Sequence, residues 1–156
     1  MTMRKIEFGQ LLQLLGNVGV IIGIVLLVYE LNQNQRMMQA QTRASLSQET
    51  ADDLFRFSET EKLAELWFRA AEGGELTELE QLRFGQFVIS RMRRQENVHY
   101  QYRMGLYDER EYEAQTNGWR RLYAMPGVAA MFCERRTNFS PEYVADIEAL
   151  MEAPCE

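Results

Sequence analysis

Charge is missing from the first part of this sequence. Between Phe8 and Tyr29 there is no Asp, Glu, Lys or Arg, and the polar members of the stretch LLQLLGNVGVIIGIVLLVY are Gln13, Asn17 and the Tyr29 phenol. At about 1.5 Å per residue, a helix of this length crosses the roughly 30 Å hydrocarbon layer of a bilayer. A chain of 156 residues builds too small an interior to surround such a helix on every side. A cleaved secretion signal fits less well, because no small-x-small site closes the run; Val28, Tyr29, Glu30 and Leu31 continue it. Residues 1–31 are therefore expected to be a retained anchor in contact with membrane lipid.

Histidine, cysteine and basic charge are also scarce. His99 is the one histidine, and Cys133 and Cys155 are too few to define a disulfide framework or a zinc site. With 17 Lys and Arg against 23 Asp and Glu, the net charge of -6 argues against a broad nucleic-acid surface. Proline and glycine are absent from residues 30–57, so nothing stops the anchor helix at the membrane face. A helical stalk over 32–57 follows. Leu31, Met38 and Ser45 share a heptad position, but Asn34, Gln41 and Gln48 make the neighbouring seam polar, which does not define a strong coiled coil.

The rest of the chain, 58–156, reads as a helical domain. Leu63, Leu66, Trp67 and Ala70 repeat at core spacings over 61–71, before Gly73 and Gly74. Thr77 to Glu80 has the form of a capping box and opens a helix running to about Gly105. Leu79, Leu82, Phe84, Phe87, Val88, Ile89 and Met92 cover more than one face of it, which predicts neighbours on two sides. Asp108 caps a segment through Tyr123, Met125-Pro126-Gly127 interrupts, and a short helix covers 128–135. Ser140 as cap, Pro141 as first helical residue and Phe139 packing on Val144 open the last one. Trp67, Trp119, Tyr123 and Phe132 are expected in the core. The fold class is all-α, with no alternating strand pattern to compete.

Two groups of residues are candidates for function. Gly19-x-x-x-Gly23, extended by Gly16 and Asn17, offers a small-residue face on which another helix can approach closely. Arg91, Arg93, Arg94, Glu96, His99, Tyr100 and Arg103 form a polar cluster along the central helix, read either as an ion-pair network or as a recess for an anion. Glu96-x-x-His99 has the spacing of half a dinuclear metal motif, but one histidine cannot complete such a centre within one chain. No serine–histidine–acid set, phosphate-cradling glycine loop or cysteine–histidine pair is present, so a non-enzyme is favoured and no cofactor or metal is expected. A pore would need several copies to bring Asn17 around one axis.

The segments VGVIIGIVLLVYELNQNQR, RMRRQENVHYQYRMGLYDE, GWRRLYAMPGVAAMF and FSPEYVADIEAL, in that order, span nearly the whole chain. In them the sequence resembles a family of small uncharacterised bacterial membrane-anchored proteins. The family often shows Gln-Asn-Thr and then arginine at the anchor exit, where this chain has Glu30-Leu31-Asn32-Gln33-Asn34-Gln35-Arg36. The resemblance implies one N-terminal transmembrane helix and a compact helical domain, and supplies no activity, cofactor or catalytic residue.

The expected function is that of a membrane-associated structural or interaction protein, an accessory subunit of a membrane assembly, with a homo-oligomer or a membrane-protein partner. A ligand- or anion-sensing module is the alternative, and an oligomeric pore component or an enzyme stands behind it. The expected location is a bacterial inner membrane, crossed once. Arg4 and Lys5 before the anchor balance Arg36 and Arg43 after it. The resembling family looks more basic after the anchor, which puts the helical domain on the cytoplasmic side.

Overall fold

The computed structural model describes residues 8–155. Arg4 and Lys5, used above for orientation, lie outside the described residues. Six α-helices account for the fold: α1 Phe8–Glu59, α2 Glu61–Ala71, α3 Glu78–Arg103, α4 Glu109–Tyr123, α5 Pro126–Arg135 and α6 Pro141–Leu150, with a 3₁₀ turn at Arg136–Asn138. The all-α class is as the sequence implies.

The chain divides into two compact units, Met1–Ala40 and Gln41–Glu156. The expected stalk therefore contributes to both. In the first unit α1 is apolar, long enough to cross a bilayer, and buries none of its most apolar stretch against the protein. Leaving its Leu, Ile and Val side chains in water would forgo roughly 1.5–3 kcal/mol each. Hydrocarbon removes that deficit, so the helix is consistent with a single membrane-spanning segment.

In the second unit, the end of α1 is a wall of the domain. Leu46 is buried in the core, and Thr42, Thr50, Asp53 and Phe57 are half-buried at helical spacing on the same face. The Phe57 ring stacks on Phe87 at 6.1 Å and meets Trp67 edge-on at 6.4 Å, while Trp67 packs on Phe84 and Phe87. The expected core aromatics Trp67, Trp119, Tyr123 and Phe132 are all buried.

Local chemistry sets the helix ends. The Thr77 hydroxyl accepts from the Glu80 amide at 3.4 Å and the Glu80 carboxylate accepts from the Thr77 amide at 2.9 Å, completing the capping box. The Asp108 carboxylate accepts from the Arg110 and Glu111 amides at the start of α4. Gly73 and Gly105 take positive φ, 78° and 70°, after α2 and α3, a conformation that glycine adopts without strain.

Four expectations need correction. Helix α5 begins at Pro126, because proline's fixed φ and missing donor suit a first helical position; Met125-Pro126-Gly127 starts that helix as well as ending α4. Ser140 makes no side-chain cap to α6; its amide donates instead to the Glu96 carboxylate at 2.7 Å. Leu79 and Leu82 remain 57% and 60% exposed, since that face of α3 meets a groove where a covering helix was expected. Cys133 and Cys155 are joined by a disulfide with Cα atoms 5.4 Å apart, tying α5 to the C-terminal segment.

Candidate functional site

Successive residues of α3 point to different neighbours, so the arginine-rich cluster is dispersed around the helix. The Arg91 guanidinium lies over the rings of Phe87 and Trp67, at 5.3 and 5.7 Å, and burial with the nearby Arg94 charge lowers its pKa. Arg93 bonds Glu96 at 2.7 Å and lies 4.6 Å over the Phe139 ring. Arg94 pairs with Asp53 of α1. Arg103 reaches Glu142 at 3.5 Å, and Tyr100 is exposed.

Glu96 and His99 likewise serve separate contacts. Burial tends to raise the Glu96 carboxyl, but hydrogen bonds from the Ser140 backbone and from Arg93 outweigh it and hold the group below its usual value. His99 is buried and places Nε2 2.8 Å from the Asp146 carboxylate, whose side chain is 63% exposed. Since a carboxylate only accepts, His99 donates through Nε2. Its ring packs edge-on against Tyr143. Tyr102 and Tyr112 stack nearby at 4.0 Å, and burial, with a smaller contribution from Asp146, pushes the Tyr112 phenol up to about 12. Among the described residues, no three His, Cys, Asp or Glu side chains gather as a metal-binding group.

Gln95 was absent from the sequence-derived cluster and is more deeply buried than its arginines, at 6% exposure. Its side-chain oxygen accepts from the Tyr123 hydroxyl at 2.8 Å and the Tyr143 hydroxyl at 3.1 Å; the two hydroxyls are 3.0 Å apart. Burial raises both phenols well above their ordinary values, so both keep their protons to donate. A signal was present in the sequence: Phe84, Val88, Met92, Gln95 and His99 recur at three- and four-residue steps, a stripe that runs through the buried face of α3. Reading Arg91 to Arg94 as a charge cluster concealed it.

Arg94 and Gln95 share one concavity. With Leu46, Ser47 and Thr50 of α1, Val98 of α3, Gln115 and Trp119 of α4, and Tyr107 they line a recess of about 220 Å³. Burial raises the Tyr107 phenol, opposed by its hydrogen bond with Gln115. Arg94 enters this recess already neutralised by Asp53, whereas Arg91, Arg93, His99, Tyr100 and Arg103 do not line it.

In the first unit, a Cβ built on Gly16, Gly19 or Gly23 meets nothing within 4 Å outside its own helix. The small-residue face is uncovered in a single chain.

These features define an all-helical protein with one membrane-spanning candidate helix and a compact, aromatic-rich helical domain. Comparison with protein-family models, curated proteins and solved structures found no match.

Proposed function

We propose that this chain is a single-pass membrane protein whose role is association, as a structural or accessory subunit, through the anchor face formed by Gly16, Asn17, Gly19 and Gly23. The observation that carries the reading is that uncovered face. Glycines one turn apart on an apolar helix let a second helix come close enough for backbone packing, and Asn17 adds a hydrogen bond across it. The charges of α3 support the same reading, because most are satisfied by carboxylates and rings inside the domain. The occupant of the face is a second copy or another membrane protein. Crosslinking in native membranes tests this: recovery of one discrete adduct is expected, and repeated recovery of an uncrosslinked monomer overturns it.

The side of the membrane follows from the disulfide. Disulfides persist in oxidising compartments and are rare in the cytosol. The Cys133–Cys155 bridge therefore argues against the cytoplasmic placement favoured by flanking charge, and we take the domain as extracytoplasmic, with Arg4 and Lys5 on the inner side of a bacterial inner membrane. Protease added to intact spheroplasts should digest the domain without permeabilisation; full protection restores the cytoplasmic assignment.

Anion sensing is the second reading, and the Arg94 recess is what favours it. A ligand there has to displace Asp53 from Arg94 or bind beside the pair. Saturable thermal stabilisation by a small anion, lost in Arg94→Gln, supports it.

A further inference from the structure

Leu79 and Leu82 are more than half exposed on a helix whose other large apolar residues, Phe84, Val88 and Met92, are buried. Together with Leu63 and the buried Leu66 of α2 they form an open groove between α2 and α3, with a cavity of about 600 Å³. On α3 the lining residues Leu79, Leu82, Arg83 and Gln86 fall at helical spacing on one face, opposite Lys62, Leu63 and Leu66. The charges are selective. In a chain with 23 acidic residues, no carboxylate lines this groove, while Lys62 and Arg83 both do. Among the described residues, neither cation is paired to an acid, unlike Arg43, Arg69, Arg93, Arg94, Arg103, Arg135 and Arg136.

We propose that the α2–α3 groove binds a single-chain anionic amphiphile, a long-chain fatty carboxylate, with its alkyl chain on the four leucines and its head on Lys62 and Arg83. Three physical points select this occupant. The cavity volume lies within the range of about 300–1,000 Å³ usual for small-molecule sites. A partner helix needs a specific interface of about 1,000 Å² or more, which an eight-residue groove does not supply alone. The apolar surface between α2 and α3 is unbroken leucine, so polarity in the ligand belongs at one end, where an unpaired cation gives a charge-assisted hydrogen bond. The apolar anchor supplies the context, since a membrane concentrates such molecules.

The test uses the full chain in phosphatidylcholine nanodiscs and hexadecanoic acid carrying a diazirine on its chain. Photolabelling should saturate on residues 60–66 and 79–86, with labelling of 8–29 as the internal membrane reference. Unlabelled hexadecanoate should compete roughly tenfold better than hexadecanol, the worth of one charge-assisted contact. Leu79→Gln and Leu82→Gln are at exposed positions and should lower the label several-fold while leaving the melting temperature unchanged. Lys62→Gln with Arg83→Gln should remove the preference for carboxylate over alcohol and keep residual labelling. Unsaturable label spread equally over Leu54, Phe55 and Phe68, or equal competition by acid and alcohol in the wild type, overturns the proposal. So does a polypeptide captured from native membranes through photocrosslinkers at positions 79 and 82, which gives the groove to a protein. Loss of the anchor-mediated adduct has no bearing on these outcomes, so the two readings fail separately.

Discussion

Gly127 lies against the backbone of Ala70: a Cβ at position 127 would stand 1.9 Å from the Ala70 carbonyl oxygen and 3.3 Å from the Ala71 Cα. Helix α5 crosses α2 where no side chain fits between them, and the burial of Ala70, Ala71 and Val128 around the crossing depends on that closeness. The obstacle is backbone, which cannot rotate aside. Gly127→Ala should force the helices apart and destabilise the domain by at least about 2 kcal/mol, with α5 itself no less helical. Chemical denaturation of the full chain checks this; an unchanged midpoint would rule out the close crossing.

Glu96 joins α3 to the start of α6 through the Ser140 amide. Its carboxyl sits below the ordinary value in the folded state, so its stabilisation is complete above the unfolded-state pKa and is lost as pH falls through the folded one. Glu96→Gln should cost roughly 1–2 kcal/mol near neutral pH, the worth of charge-assisted bonds. The gap between variant and wild type should close as the pH drops below about 4. Parallel melting curves across pH 3 to 7 read it directly, and a gap independent of pH would remove the carboxylate from the account.

Gln95 accepts two phenolic protons in the core. Gln95→Leu leaves one hydroxyl able to donate to the other and the second donor unmade, a loss of about 2 kcal/mol. Adding Tyr123→Phe and Tyr143→Phe should recover part of that loss, because replacing every partner by an apolar group costs less than stranding one. A triple variant that simply accumulates three losses would contradict the network.

The Cys133–Cys155 bridge closes a loop across 22 residues. Constraining the unfolded chain over that separation is worth about 3 kcal/mol. Cys133→Ser should lower the denaturation midpoint, and a reducing agent should lower the wild type by a similar amount and leave the variant unmoved. Free thiols at both positions in protein taken from cells would return the domain to a reducing compartment.

In the anchor, Gly19→Leu with Gly23→Leu keeps the helix apolar and fills the face on which a second helix would sit. The crosslinked adduct should fall by about tenfold or more, the loss of roughly 1.4 kcal/mol or more of packing. An adduct of unchanged yield moves the contact elsewhere.

The sequence by itself determined what depends on near neighbours. The uncharged run from Phe8 to Tyr29, the Thr77 and Asp108 caps and the stops at Gly73 and Gly105 act within a turn or two, so the helices were legible nearly to the residue. Even the misread start of α5 came from a local choice, Pro126 as breaker or as first residue. Tertiary structure alone decided what each face of those helices meets. Arg94 finds Asp53 across 41 residues, Glu96 the Ser140 amide across 44 and His99 Asp146 across 47, and no local rule announces any of these partners. Leu79 and Leu82 have the spacing of core residues yet line an open groove, and two ordinary cysteines meet only because α5 and the C-terminal segment converge. Periodicity says that a face is apolar. Whether another helix, a ligand or lipid covers it depends on packing between segments far apart in the chain, which is decided when the helices assemble.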